Sequence, residues 1–116
     1  MEMKLTILKH ALSGVTNPFS LGESIDGYID YTKTVITMVE ELEESSFGFE
    51  TLVLDCVKMV LEAVIEMAKA KCPAIRRYWD KLDKMSSLLN IVTDDKQTVE
   101  EQKNAVNMAQ MLLIID

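Results

Sequence analysis

FETLVLDCVKMVLEAVIEMAKAKC, from Phe49 to Cys72, is the stretch whose reading decides the fold. At about 100° per residue, Asp55, Lys58, Glu62, Glu66 and Lys69 fall within an arc of roughly 80°, and apolar side chains cover the rest of the circumference. An ordinary surface helix has a much wider polar face, so this one must be enclosed. Other helices of the chain do so, or a second chain covers what they leave open. Val57, Val60, Leu61 and Val64 are the expected centre of the core.

Before this stretch, Met3, Leu5, Leu8, Leu12 and Val15 recur at helical spacing, and Gly14 followed by Asn17-Pro18 is the expected stop. Ser24 is a candidate N-cap for a second helix. Ile25, Tyr28, Ile29, Thr32, Val35, Ile36, Val39 and Leu42 line one face of it, with Asp26, Asp30, Lys33, Thr37 and Glu44 opposite. The run from Glu43 to Gly48 closes that helix and opens the third. After the third, Pro73 is expected in the first turn of a fourth helix, which presents Ile75, Tyr78, Trp79, Leu82, Met85, Leu89 and Val92 inward.

Thr98 and Glu101 have capping-box spacing, which starts a fifth helix between Thr93 and Thr98 and carries it through Val106, Ala109 and Leu113. No segment alternates like a strand. The expected fold is therefore all-α, an antiparallel bundle of about five helices around a largely buried third helix, with residues 1–116 forming one domain or part of a longer protein.

Composition narrows the function classes. With 48% hydrophobic and 27% charged residues the chain is a folding sequence. A net charge of −7 argues against direct nucleic-acid binding, which needs a basic face to displace counterions. Glu2, Lys4, Lys9 and His10 interrupt any secretory h-region, and five charges break the only stretch of spanning length, so no transmembrane segment is expected. Cys56 and Cys72 lie sixteen positions apart on what reads as one helix, too far for a disulfide, and two thiols point to a reducing, intracellular setting in cytoplasm or nucleus.

Chemistry-bearing patterns are sparse. His10 is the single histidine and has no metal-ligand partner at the usual spacing; Cys56 sits on the most apolar helix, where a thiol behaves as a small hydrophobe. Glu40, Glu41, Glu43, Glu44 and Glu50 lack the spacing of a Ca²⁺ loop. No glycine-rich phosphate loop follows a strand. No catalytic residue, metal or cofactor is expected.

Three features point to contacts with other chains. If the helices run up and down in order, Glu40 to Glu50 share one end with Asp94, Asp95, Glu100 and Glu101, and Lys69, Lys71, Arg76, Arg77 and Lys81 collect at the other. Lys69 and Lys71 complement a helix C-terminus, whereas Arg76 and Arg77 oppose the dipole of the next helix. With free N–H groups after Pro73 they form the ingredients of an anion or carboxylate site, unless Glu23, Asp26 or Asp116 pairs with them. Second, Met38, Met59, Met67, Met85, Met108 and Met111 lie on the second to fifth helices, as in a core filler or an adaptable contact surface. Third, Met108, Met111, Leu112, Leu113, Ile114 and Ile115 surround most of the last helix, more apolar surface than one neighbour covers.

Lys69, Lys71, Arg76, Arg77, Met108, Met111, Leu112 and Ile115 are therefore the candidate partner-binding residues. The expected function is a non-enzymatic protein–protein interaction or oligomerisation module, most simply a homodimer. The alternative is an acidic inhibitor that occupies a basic site on a nucleic-acid-handling protein.

Overall fold

In the computed structural model, which describes residues 2–17 and 24–115, five helices follow one another: α1 (Glu2–Thr16), α2 (Ile25–Glu44), α3 (Phe49–Lys69), α4 (Ile75–Val92) and α5 (Val99–Ile114). There is no strand among the described residues. Each boundary has a local cause. The Ser24 hydroxyl accepts from Gly27 N–H at 3.2 Å and starts α2; the Thr98 hydroxyl accepts from Glu101 N–H at 3.1 Å and starts α5. Gly48 enters α3 at φ 70°, a conformation that favours glycine.

α3 ends in a Schellman turn: Cys72 N–H donates to Met67 C=O at 3.0 Å and Lys71 N–H to Ala68 C=O at 3.1 Å. Lys71 takes the left-handed position, at φ 53°, where glycine is usual. It thus lies beyond the helix and not in its last turn, as the sequence pattern had placed it. Pro73 also shifts. It precedes Ala74, the N-cap of α4, and so stands outside the first helical turn.

The pairings fix the directions of the helices. Lys58 on α3 meets Glu40 near the end of α2 at 3.1 Å, while Tyr28 at the start of α2 shares a depression with Met67 and Ala68 at the end of α3. α2 and α3 are therefore antiparallel. Lys4 and Ile7 of α1 lie by Met38 and Leu42, and its last turn meets Tyr28 and Tyr31, so α1 runs against α2. Leu113 of α5 lies beside Tyr78, and Gln97 and Glu101 beside Leu88 and Ile91, so α5 runs against α4. α3 packs on α2, α4 and α5, and α1 lies across α2 and α4.

Val53, Leu54, Val57, Leu61 and Val64 of α3 are completely buried, and the charged stripe faces outward as its narrow arc requires. Leu82, Met85 and Leu89 bring α4 into the same core, with Val35, Val39 and Leu42 from α2. Two apolar residues assigned inward point outward instead. Met3 is 77% exposed at the free first turn of α1, and Ile25 is exposed at the first turn of α2, because the core does not reach either end.

Tyrosines fasten α1. The Tyr28 hydroxyl donates to Val15 C=O at 2.7 Å and accepts from the Trp79 indole N–H at 2.9 Å, which ties three helices at one buried oxygen. Burial pushes Tyr28 up to about 12, against the opposing hydrogen bonds of Trp79 and Thr32. The Tyr31 hydroxyl donates to Ala11 C=O at 2.9 Å, directly over Gly14. Gly14 is therefore not a helix stop, since α1 continues to Thr16; it is the gap that admits the Tyr31 ring. On the other side of α1, Lys9 Nζ bonds Asn90 Oδ1 of α4.

Candidate interaction surface

The antiparallel order gathers Glu40, Glu41, Glu43, Glu44 and Glu50 at the end that also holds Asp94, Asp95, Glu100 and Glu101. The basic residues Lys69, Lys71, Arg76, Arg77 and Lys81 lie toward the opposite end. At that basic end, one ingredient of the expected anion site is spent. Ile75 N–H donates to Cys72 C=O at 3.1 Å, Arg76 N–H to Pro73 C=O at 3.4 Å and Arg77 N–H to Ala74 C=O at 3.0 Å, so the first turn of α4 satisfies its own donors. Any anion here would have to be held by side chains.

Those side chains do not act as one cluster. Lys69 is exposed and pairs with Glu66 on its own helix at 3.6 Å, a contact worth little in water. Lys71 lies on the rim of a depression of about 300 Å³ between the start of α2, the end of α3 and the start of α4. Arg76 and Arg77 are exposed, and neither has an ion-pair partner among the described residues. Glu23 and Asp116, two of the carboxylates considered for them, lie outside the described residues; Asp26 forms no ion pair with either.

Arg77 comes together with the last turn of α5. A groove of about 320 Å³ between α4 and α5 is lined by Arg77, Asp80, Lys81, Lys84, Leu112 and Ile115. In line with it along the same two helices lies a second depression of about 260 Å³, where Leu88 and Ile91 face Ala105 and Met108. The α4 wall, Arg77-Lys81-Lys84-Leu88-Ile91, follows steps of four and three and so forms one straight stripe on the helix. It is basic toward the start of α4 and apolar toward the end.

The α5 side supplies the apolar surface. Leu112 and Leu113 are half-buried, whereas Met108, Met111, Ile114 and Ile115 are exposed, Ile114 to 81%. The methionines divide between two roles. Met85 fills the core, and Met59, Met108 and Met111 stand on the surface.

Two further groups could carry chemistry. Across α2 and α3 the Glu43 carboxyl lies near that of Asp55; burial first, then Asp55 through hydrogen bonding and charge, push Glu43 up to about 7, with Lys58 opposing and Glu40 adding slightly. Its Oε1 is occluded without a hydrogen bond. Cys56 is buried and Cys72 half-buried, both as thiols; burial and then the charge of Asp55 push Cys56 up, away from a reactive thiolate. Among the described residues no three His, Cys, Asp or Glu side chains converge as a metal set. No helix among them is long and apolar enough to cross a membrane.

Neither a protein-family model, nor a curated protein sequence, nor a solved structure matches this chain. The class that the fold defines is an all-helical bundle with an apolar, methionine-bearing last helix. The α4 wall is not evident in the sequence, because Lys84, Leu88 and Ile91 look there like ordinary surface and core positions. The signal that could have found it is the four-and-three spacing from Arg77, which marks a single face whose character changes along its length.

Proposed function

We propose that this domain is a non-enzymatic interaction module that engages another polypeptide through the apolar, methionine-bearing end of α5, a second copy of itself being the simplest partner. The observation that carries this reading is the run of exposed Met108, Met111, Ile114 and Ile115 beside half-buried Leu112. Burial of apolar surface is worth roughly 25 cal/mol per Å², so a contiguous group of such side chains favours association. Methionine suits such a surface because its unbranched thioether adapts to the facing shape. A two-fold pairing would place the same face on both copies.

Less supports the rival reading, an acidic face that mimics nucleic acid. Glu40 is paired with Lys58, and burial with the nearby Asp55 holds the Glu43 carboxyl well above the usual range, so part of the charge of the acidic end is offset within the fold. The test is the solution mass by light scattering at high micromolar concentration, with and without Leu112→Glu plus Ile115→Glu. Association in the unmodified chain and a folded monomer in the variant are expected. A folded monomer without the substitutions would overturn self-association, and unfolding by the substitutions would assign these residues to the monomer core.

A further inference from the structure

Lys81 is an anomaly in a surface helix. It is 9% exposed, its ammonium lies 4.9 Å from the centroid of the Tyr78 ring, and no described carboxylate pairs with it. Lysine residues are seldom covered to this degree without a counter-ion; here the stem is packed, the Tyr78 ring lies beside the ammonium, and the head opens into a groove. Asp80, the acidic residue in the same groove, is the adjacent residue on the helix and forms no ion pair with it. The groove into which Lys81 opens also carries Arg77 and Lys84, so its basic half holds three cations against one carboxylate in a chain whose net charge is −7.

The same stripe then turns apolar. Leu88 and Ile91 on α4 face Ala105 and Met108 on α5, and Gln97, Glu101 and Asn104 complete the lining; Leu88 and Ala105 are already buried, so Ile91 and Met108 are the apolar side chains left open. From Arg77 to Ile91 is fourteen helical steps, or about 21 Å, the length of a four-turn helix. A flat charge patch needs no apolar extension, and an apolar dimer face needs no row of cations. One kind of occupant uses both: a helix with apolar residues at i, i+3 or i+4 and i+7 for the Leu88–Met108 half, and carboxylates in the terminal turn that lies over Arg77, Lys81 and Lys84.

We propose that the α4–α5 groove seats an acidic amphipathic helix of a heterologous protein, with Lys81, its stem held by packing, as the counter-charge for one of its carboxylates. This rests on the reading of the domain as an interaction module, and it names a heterologous helix in place of a second copy as the occupant of that face. Charge sets the register and polarity of the bound helix, and the apolar half supplies burial. Because packing already orders the Lys81 side chain, its pairing with a carboxylate loses less side-chain freedom than a pair made by the exposed Arg77 or Lys84, which act mainly in steering.

The probe is a synthetic four-turn peptide with leucines at those spacings and two glutamates in one terminal turn, titrated against the full chain by calorimetry. Its glutamine analogue is run in parallel. Binding of the glutamate peptide at least tenfold tighter than the analogue is expected, together with a tenfold loss in Lys81→Met, whose stem still packs on Tyr78. Lys84→Gln, at an exposed position that cannot disturb the fold, should weaken binding about threefold and reduce its salt dependence.

Equal affinity for the two peptides, unchanged binding in both variants, or no binding at millimolar peptide would each overturn the proposal. Tighter capture of a medium-chain fatty acid than of the peptide would reassign the groove to an acyl carboxylate. If instead Lys81→Met dissociates a homodimer of the free chain, the occupant is a second copy. Failure of the peptide alone leaves the α5 interaction reading standing, since that reading is decided by solution mass.

Discussion

Gly14→Ala is the substitution in which two physical effects oppose each other most directly. In an ordinary helix interior the change stabilises by up to about 1 kcal/mol, because alanine has the higher helix propensity. Here the new Cβ would stand 2.5 Å from the Tyr31 hydroxyl oxygen and 2.9 Å from its Cζ, closer than such atoms approach. The ring is rigid and must swing away as a unit. Overpacking of this kind costs about 1–3 kcal/mol, and the hydrogen bond to Ala11 C=O, 2.9 Å long, goes with it at about 1 kcal/mol. The steric side wins, and the variant should be destabilised by about 1–3 kcal/mol.

The cause can be isolated with a double-mutant cycle read by urea unfolding and far-UV circular dichroism. With the ring removed by Tyr31→Ala, the same Gly14→Ala change should become stabilising by up to about 1 kcal/mol. A reversal of sign between the two backgrounds is the expected signature. If Gly14→Ala stabilises the unmodified protein, or has the same effect in both backgrounds, the account of Gly14 as the gap for Tyr31 is wrong, and the glycine has no packing role in α1.

Lys71 at φ 53° should gain from glycine: Lys71→Gly is expected to raise the urea midpoint by up to about 1 kcal/mol equivalent, while Lys71→Ala, equally strained, changes it little. A Lys71→Ala gain as large as that of glycine would show that strain is not the cause. For Glu43, the folded-state carboxyl is raised from 4.5 to about 7, so the native state holds the proton that the unfolded chain has released. Its stabilising contribution is full below about pH 4.5 and is lost as pH rises toward 7. Glu43→Gln should flatten the stability profile across that window, and a profile of unchanged slope in the variant would place the pH dependence elsewhere.

The helices were legible from one dimension because their causes are local. The thin charged stripe of α3 required enclosure whatever surrounded it, and Val57, Leu61 and Val64 are fully buried accordingly. Ser24 and Thr98 are capping residues by their own side-chain chemistry, and they bond the N–H groups three positions on. The apolar excess of α5 was countable from Met108 to Ile115, and its exposure follows from having more apolar faces than neighbours.

What stayed hidden depends on pairs of residues far apart in the chain. Gly14 reads as a breaker until Tyr31, seventeen positions later, is found above it. The N–H groups after Pro73 read as free because i−3 bonding in the turn depends on backbone angles that the residue types leave open. Lys81 reads as one more surface cation: Tyr78 is visible three residues earlier, but nothing in the segment says that Met59, Val60 and Ala63 of α3 and Leu113 of α5 lie beside the pair. Sequence thus determined which segments are helical and which faces are apolar. Only the packing of one helix on another decided which of those faces remain open, and which lysine side chain is packed between them.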